Sequence, residues 1–355
     1  TAGNTLSIVI DDDSAAVDGT SHAVTALNTT NFSEVTLTLN DTEAAVANTT
    51  ISVGAANTLK VAGAGALTVG TSVTAASVDG SDMTGVLDIT MTATTALSAT
   101  GGSAGDEFTL GAVADYVIDG GDGTDNVTIN GSDFSGGAKT LSLTNVETLT
   151  TTTTTAIDAA DLTGQTFIIK SDAAAADAIT VATGGTGAVA DLSGLTLITA
   201  TLALNGGAGN DTLTGSLASV TTISGGNGAD TITGGNAADK INGEAGADEV
   251  TAGEGADLII VNGGDTVDLS ETTSAIDTII LNATNGGSAA GAVGGTLTGY
   301  NNITGFNATN DIVIAESNDD YTADITSVVF DNTVIITSSD AATASKDLTD
   351  ADFTN

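Results

Sequence analysis

The sequence predicts an all-β chain, a parallel β-solenoid containing a β-roll, with additional β-rich segments around it. Three observations carry that expectation. A nine-residue period runs unbroken from residue 225 to 260, apolar and polar residues alternate with period two elsewhere, and the composition suits thin layered sheets. Of 355 residues 41% are hydrophobic but only 3% aromatic. Ala, Val, Ile and Leu are interleaved with Thr, Ser, Gly and Asn, and small and β-branched residues in such proportion pack as stacked strands more readily than as helices.

Charge narrows the function classes. Against 45 acidic residues stand five lysines (Lys60, Lys139, Lys170, Lys240, Lys346), and the net charge is −40. Nucleic-acid binding needs a basic stripe, which this chain lacks. Anionic membrane surfaces repel it in the same way. No apolar run approaches the ~18–20 residues of a membrane helix. The chain has no Cys, so a secreted form is held by packing or by metal rather than by disulfides. It opens at Thr1 rather than Met, and an N-terminal part is expected to precede it.

Residues 1–100 read as a β-rich N-terminal region, an irregular solenoid or a sandwich. Their strand signals are the alternating runs Thr5–Ile10, Glu34–Leu39 and Leu87–Thr92. Residues 101–204 read as a solenoid of degenerate repeats: GGSAGDEFT, LGAVADYVI and GGDGTDNVT carry Asp106, Asp115 and Asp125 at one position, and Asp119 interrupts the period.

Residues 205–269 read as the β-roll. GGAGNDTLT starts at Gly206, a ten-residue spacer GSLASVTTIS follows, and then come GGNGADTIT, GGNAADKIN, GEAGADEVT and AGEGADLII. Asp211, Asp230, Asp239, Asp248 and Asp257 take the sixth place of each unit, and Leu213, Ile232, Ile241, Val250 and Ile259 the eighth. The first six residues of such a unit form a glycine-rich turn and the last three a short strand. Two units make one coil of about 18 residues, so alternate turns stack. Residues 270–355 read as a β-rich cap, with strand signals at Thr278–Leu281 and Val328–Thr337.

Stacked turns of this kind suit calcium, a hard cation taking six to eight oxygens at about 2.3–2.6 Å. Carbonyls at positions one and three and the Asp at position six supply them from each of two coils. The spacing pairs Gly206, Ala208 and Asp211 with Gly225, Asn227 and Asp230, and pairs that set in turn with Gly243, Ala245 and Asp248. On the opposite edge Gly234, Asn236 and Asp239 pair with Ala252, Glu254 and Asp257, and upstream Asp106 pairs with Asp125. Several calcium ions are therefore expected. Ala237, Glu244 and Ala252 depart from the glycine pattern, and Ala252 is tolerable only with a negative φ. The competing reading makes these acids solvated turn residues with Asx-type hydrogen bonds.

An enzyme is not expected. The one histidine, His22, cannot make an HExxH zinc site, and no Gly-x-Ser-x-Gly elbow or phosphate loop is present. Two carboxylates would suffice for a glycosidase, but the chain has no Trp and three Tyr to build a sugar platform.

The nonapeptides of residues 206–260, and loosely those of 101–128, resemble the RTX proteins that bacteria export by type I secretion. The Arg-free, Thr/Ala/Gly-rich flanks and the stretch Val117–Thr150 are similar to RTX surface-layer proteins. Ile303–Ile314 resembles the segment that follows an RTX β-roll, and the tail KDLTDADFTN resembles a type I secretion signal. The resemblance implies a calcium-dependent protein of the bacterial cell surface, unfolded inside the cell. It implies a structural subunit assembling with its own copies into a layer or fibre, with cell-surface polysaccharide as a further partner through a preceding N-terminal part. The alternative is a secreted adhesin whose roll is a folding stalk.

Overall fold

A computed structural model describes residues 4–10, 23–24, 27–29, 31–40, 46–91, 97–111, 115–130, 133–135, 139–171, 178–183, 187–198, 200–262, 264–281, 302–305, 311–317 and 334–338. Among these the chain is strand and turn, with one helical turn at Ala159–Leu162. The protein is thus a β-solenoid with almost no helix. It divides into two compact units, Thr1–Asp161 with Thr166–Ile179 and Leu197–Ala200, and Leu162–Gln165 with Thr180–Thr196 and Thr201–Asn355. His22, Asp11–Asp13 and the C-terminal tail lie outside the described residues.

In the first unit successive strands pair in parallel, from Thr5–Ile10 through Glu34–Leu39, Val46–Gly63, Leu67–Met83, Leu87–Met91, Glu107–Leu110 and Asn126–Ile129 to Thr148–Thr151 and Ile168–Ser171. Glu34–Leu39, Leu87–Met91 and Asn126–Ile129 alternate inward and outward residues, and the inward ones stack in register with their neighbours. Val69, Ile89, Phe108, Val127, Leu149 and Ile169 form one such column, all fully buried. A second row carries Leu97, Tyr116 and Leu141 in register, and Tyr116 meets Phe134 edge to face at 6.2 Å.

The second unit has two rows of parallel strands. One row runs Thr201–Ala208, Thr221–Asn227, Lys240–Ala245, Leu258–Val261, Thr278–Leu281 and Ile312–Ser317. The other runs Val189–Asp191, Thr212–Thr214, Thr231–Gly235, Glu249–Gly253, Thr266–Asp268 and Asn302–Thr304. Leu204, Ile223, Ile241, Ile259 and Ile279 form the buried column of the first row. Ala190, Leu213, Ile232, Val250 and Val267 form that of the second. A coil contributes one apolar side chain to each column, which is why the eighth-position residue recurs.

Several strands in the roll are longer than three residues. Thr231–Gly235 and Lys240–Ala245 run on into the opening residues of the next repeat, because Gly207 pairs with Gly226, Gly226 with Glu244, and Gly235 with Gly253. The turn proper is confined to the residues just before the Asp. The ten-residue spacer is itself a coil half. Buried Ser216 accepts from the Ala218 and Ser219 N–H groups at 3.3 and 3.1 Å and donates to the Leu195 carbonyl at 2.6 Å. This hydroxyl-built turn leads into Thr221–Asn227 and absorbs the inserted residue.

Ile241 sits mid-column, so Ile241→Ala should lower stability by about 2–5 kcal/mol. Outward-facing Thr231→Ala should change it by less than about 0.5 kcal/mol. Urea unfolding followed by circular dichroism in calcium checks both.

Candidate metal centre

The aspartates of the roll form two ladders, one along each edge. On the first, the Ala188 N–H donates to Asp211 Oδ1 (2.7 Å), the Asp211 N–H to Asp230 Oδ1 (2.8 Å), the Asp230 N–H to Asp248 Oδ1 (2.9 Å) and the Asp248 N–H to Asp265 Oδ1 (3.0 Å). On the second, the Thr221 N–H donates to Asp239 Oδ1 (2.6 Å), the Asp239 N–H to Asp257 Oδ1 (2.7 Å), the Asp257 N–H to Asp277 Oδ1 (2.9 Å) and the Asp277 N–H to Asp311 Oδ1 (3.1 Å). In the first unit the Leu87 N–H donates to Asp106 Oδ1, the Asp106 N–H to Asp125 Oδ1 and the Asp125 N–H to Glu147 Oε2, each at 2.7 Å. At the steps from Asp230 to Asp248 and from Asp239 to Asp257 the period of nine produces the ladder directly, since two units return the chain to the same edge one strand spacing on.

One carboxylate oxygen is thereby spent and the other is left. Asp125, Asp211, Asp230, Asp239, Asp248, Asp257 and Asp277 each hold a buried Oδ2 with no hydrogen-bond partner, and each residue is at most 2% exposed. Asp106 differs, because the Gly102 N–H donates to its Oδ2 at 2.6 Å. An ionised oxygen stripped of water and left unpaired is costly, so it calls for a counter-charge.

First-position glycines make room beside these oxygens. A Cβ built on Gly225 would lie 2.4 Å from Asp230 Oδ2 and 2.7 Å from the Gly243 carbonyl oxygen. One on Gly206 would meet the Gly225 carbonyl at 2.3 Å and Asp211 Oδ2 at 2.9 Å. Carboxylate and carbonyl oxygens of neighbouring coils therefore gather at one place that only glycine leaves open. Among the described residues no three acidic or imidazole side chains converge on a metal position. Any cation here has to take much of its shell from such carbonyls.

The aspartates of each expected pair are linked by a hydrogen bond. Asp211 meets Asp230, Asp230 meets Asp248, Asp239 meets Asp257 and Asp106 meets Asp125, with Ala208 in register with Asn227 and Asn227 with Ala245. Gly234 backs onto the Ala252 carbonyl, and the Asn236 N–H donates to the Leu217 carbonyl at 3.1 Å. Glu254 keeps its side chain in solvent, where the Thr273 and Thr272 hydroxyls and N–H groups hold its pKa down to about 2. Ala252 is buried with φ outside the left-handed region, whereas Glu244, at the place of Gly226, is held at φ 68°. Asp115 stands apart: it is exposed and accepts from the Thr140 N–H at 2.9 Å, and its unit LGAVADYVI has lost most of its glycines.

Glu147, Asp265, Asp277 and Asp311 extend the ladders and were not among the expected sites. Each precedes a residue and then an apolar one (Glu147-Thr-Leu, Asp265-Thr-Val, Asp277-Thr-Ile, Asp311-Ile-Val), the tail of the nonapeptide kept where its glycine pattern is lost or, before Asp265, shortened to one Gly-Gly pair. Thr221 holds the acid place of the spacer coil, its hydroxyl accepting from the Ser216 N–H at 3.1 Å.

Asp133, Asp191 and Asp268, off the ladders, behave as ordinary turn residues. Ser135, Ser193 and Ser270 hydrogen-bond Asp133, Asp191 and Asp268 and lower their pKa values. Burial pushes five of the ladder acids the other way, Asp125, Asp239 and Asp277 to about 6 and Asp248 and Asp257 to about 7.

Residues 203–217 and 224–259 match the RTX calcium-binding nonapeptide repeat, in four copies. The chain carries RTX repeats. RTX nonapeptide repeats bind calcium ions and are typical of secreted proteins. No curated protein and no solved structure matches the chain. No helix among the described residues is long and apolar enough to cross a membrane.

The raised pKa values set the pH dependence without calcium. The folded chain holds these protons more tightly than the unfolded one, so their stabilisation is complete below the ordinary carboxylate pKa of about 3.9. It is lost as pH rises through the folded values of about 6 to 7. In chelator, circular dichroism should show the fold strengthening from pH 7.5 to 5. Calcium should remove that dependence and release protons on binding. Gly225→Ala should fill the space beside Asp230 and lower calcium affinity about tenfold or more by titration calorimetry.

Proposed function

We propose that this RTX protein is a structural subunit that folds on calcium outside the cell and assembles with its own copies into a surface layer or fibre. The observation that carries the reading is the set of dry, unpartnered Asp oxygens in ladders on a chain of net charge −40. Calcium would be held by the Asp oxygens with carbonyls of the first and third positions. The ligand sets are Gly206, Ala208, Asp211, Gly225, Asn227, Asp230, Gly243, Ala245 and Asp248 on one edge, and Gly234, Asn236, Asp239, Ala252, Glu254 and Asp257 on the other. Asp106 and Asp125 repeat the arrangement in the first unit. Bound calcium converts repelling charges into ligands and so couples folding to the medium outside the cell.

Assembly follows from what remains outside the ladders. The outward column Asp88, Glu107 and Asn126 in the first unit stacks acids in register, where burial and the charge of Glu107 raise the Asp88 pKa. Such a face repels its own copies until a divalent cation bridges them. Catalysis has no part in this reading, since the groups that converge are acids and carbonyls suited to holding a cation. Type I export and a site on the bacterial surface belong to the same proposal.

Electron microscopy of the chelator-stripped protein, before and after return to millimolar-scale calcium, tests it. Sheets or filaments forming only with calcium are expected. Discrete monomers in both conditions would favour the adhesin reading instead.

A further inference from the structure

Acids are unevenly placed on the outer surface of the second unit. On the strand row from Thr201–Ala208 to Thr278–Leu281, Ala203, Thr222, Lys240, Leu258 and Thr278 form one outward column in register. Asn205, Ser224, Asn242, Ile260 and Ile280 form the next. Over these five strands neither column carries a carboxylate, and their charged side chain is Lys240. Glu244 lies two residues past Asn242, at the rim of the face, where the Ser224 hydroxyl donates to it. The other row differs, because Asp191, Glu249 and Asp268 all stand on its outward side.

The acid-free face is apolar toward its C-terminal strands. Leu258, Ile260 and Ile280 occupy outward positions there and are half-buried. Along the edge of the face, the residue before each rung of the second ladder is apolar and exposed: Val220, Ala238, Ala256 and Ile276. Val220 is 57% and Ile276 53% exposed. Single exposed aliphatic residues are ordinary, but a run of them on adjoining strands marks a contact surface. Charge selects the partner. In a two-fold pair the same patch meets itself, so carboxylates on it would face carboxylates. On a chain of net charge −40, two copies approach at least electrostatic cost where the surface has none. One lysine gives an acidic partner little hold, and a basic partner is drawn to the acidic faces instead.

We propose that this face, with the strip from Val220 to Ile276 along its edge, is a two-fold contact surface for a second copy of the chain. Leu258, Ile260 and Ile280 of the two copies form its dry centre, and no cation bridges it. It rests on the assembly reading above and adds to it a contact of the opposite physical kind. The acidic column of Asp88 and Glu107 repels its copy until a divalent cation intervenes. The roll face associates by apolar burial, and salt strengthens that contact by screening the repulsion between the rest of the two chains. Contacts bridged by a cation weaken in salt for the same reason.

Sedimentation equilibrium of the full chain in calcium, at graded sodium chloride, tests it. The variants are Ile260→Asp at the centre of the face, Lys240→Glu on its exposed side and, on the other row, Thr231→Asp as a control. Circular dichroism and calcium uptake verify that each folds, and Lys240→Glu, at an exposed position, serves if Ile260→Asp does not fold. The expected result is a dimer that tightens as salt rises. Ile260→Asp and Lys240→Glu should each weaken it about tenfold or more, and Thr231→Asp should leave it unchanged. If the two face variants associate like the unaltered chain, or if association of the unaltered chain falls as salt rises, this contact is overturned and the subunit reading stands. If the unaltered chain stays monomeric at every salt and calcium concentration, both are overturned.

Discussion

Each coil of the roll is tied to the next by one recurrent hydrogen bond, from the backbone N–H of an aspartate to the carboxylate of the aspartate one coil on. That bond aligns the turns and fixes the coil length near 18 residues. It also holds each carboxylate in a dry position with its second oxygen unused. Stability and cation demand therefore come from the same side chain. The neutral acid satisfies the geometry at low pH, and the ionised acid satisfies it only with a counter-ion.

The apolar columns play a complementary part. One Ile, Leu or Val per strand is a thin core, and a chain with so few large side chains gains little from any single coil. Stacking makes the gain cumulative, since each buried Ile of the 223, 241, 259 and 279 column covers the ones before and after it. Solenoids of this kind are stabilised by nearest-neighbour contacts, so a ladder of cations along the edge would act on every interface at once.

Most of the roll was legible because its signals are local. A strict period places Asp230 over Asp248 and Asp239 over Asp257 by counting alone. The same counting failed at the spacer, where Ser216 and Thr221 build with hydroxyls the turn that glycines and an Asp build elsewhere. It failed again at Asp265, whose coil is one residue short, and at Asp277 and Asp311, which keep only the Asp and the apolar residue that follows. Once coils stretch to 20 or 34 residues, as at Asp277 and Asp311, no fixed spacing announces the partner.

The sequence by itself determined the all-β solenoid class, the coil length of the roll, the apolar position and the acids that stack, because each depends on residues close along the chain. Only the tertiary structure decided which carboxylate oxygen is used and which is left dry. It also decided that the ladders run past the repeats and that Asp115 turns outward. Those outcomes depend on burial and on contacts between coils, where the stacked backbone, not the spacing, determines what each polar atom can reach.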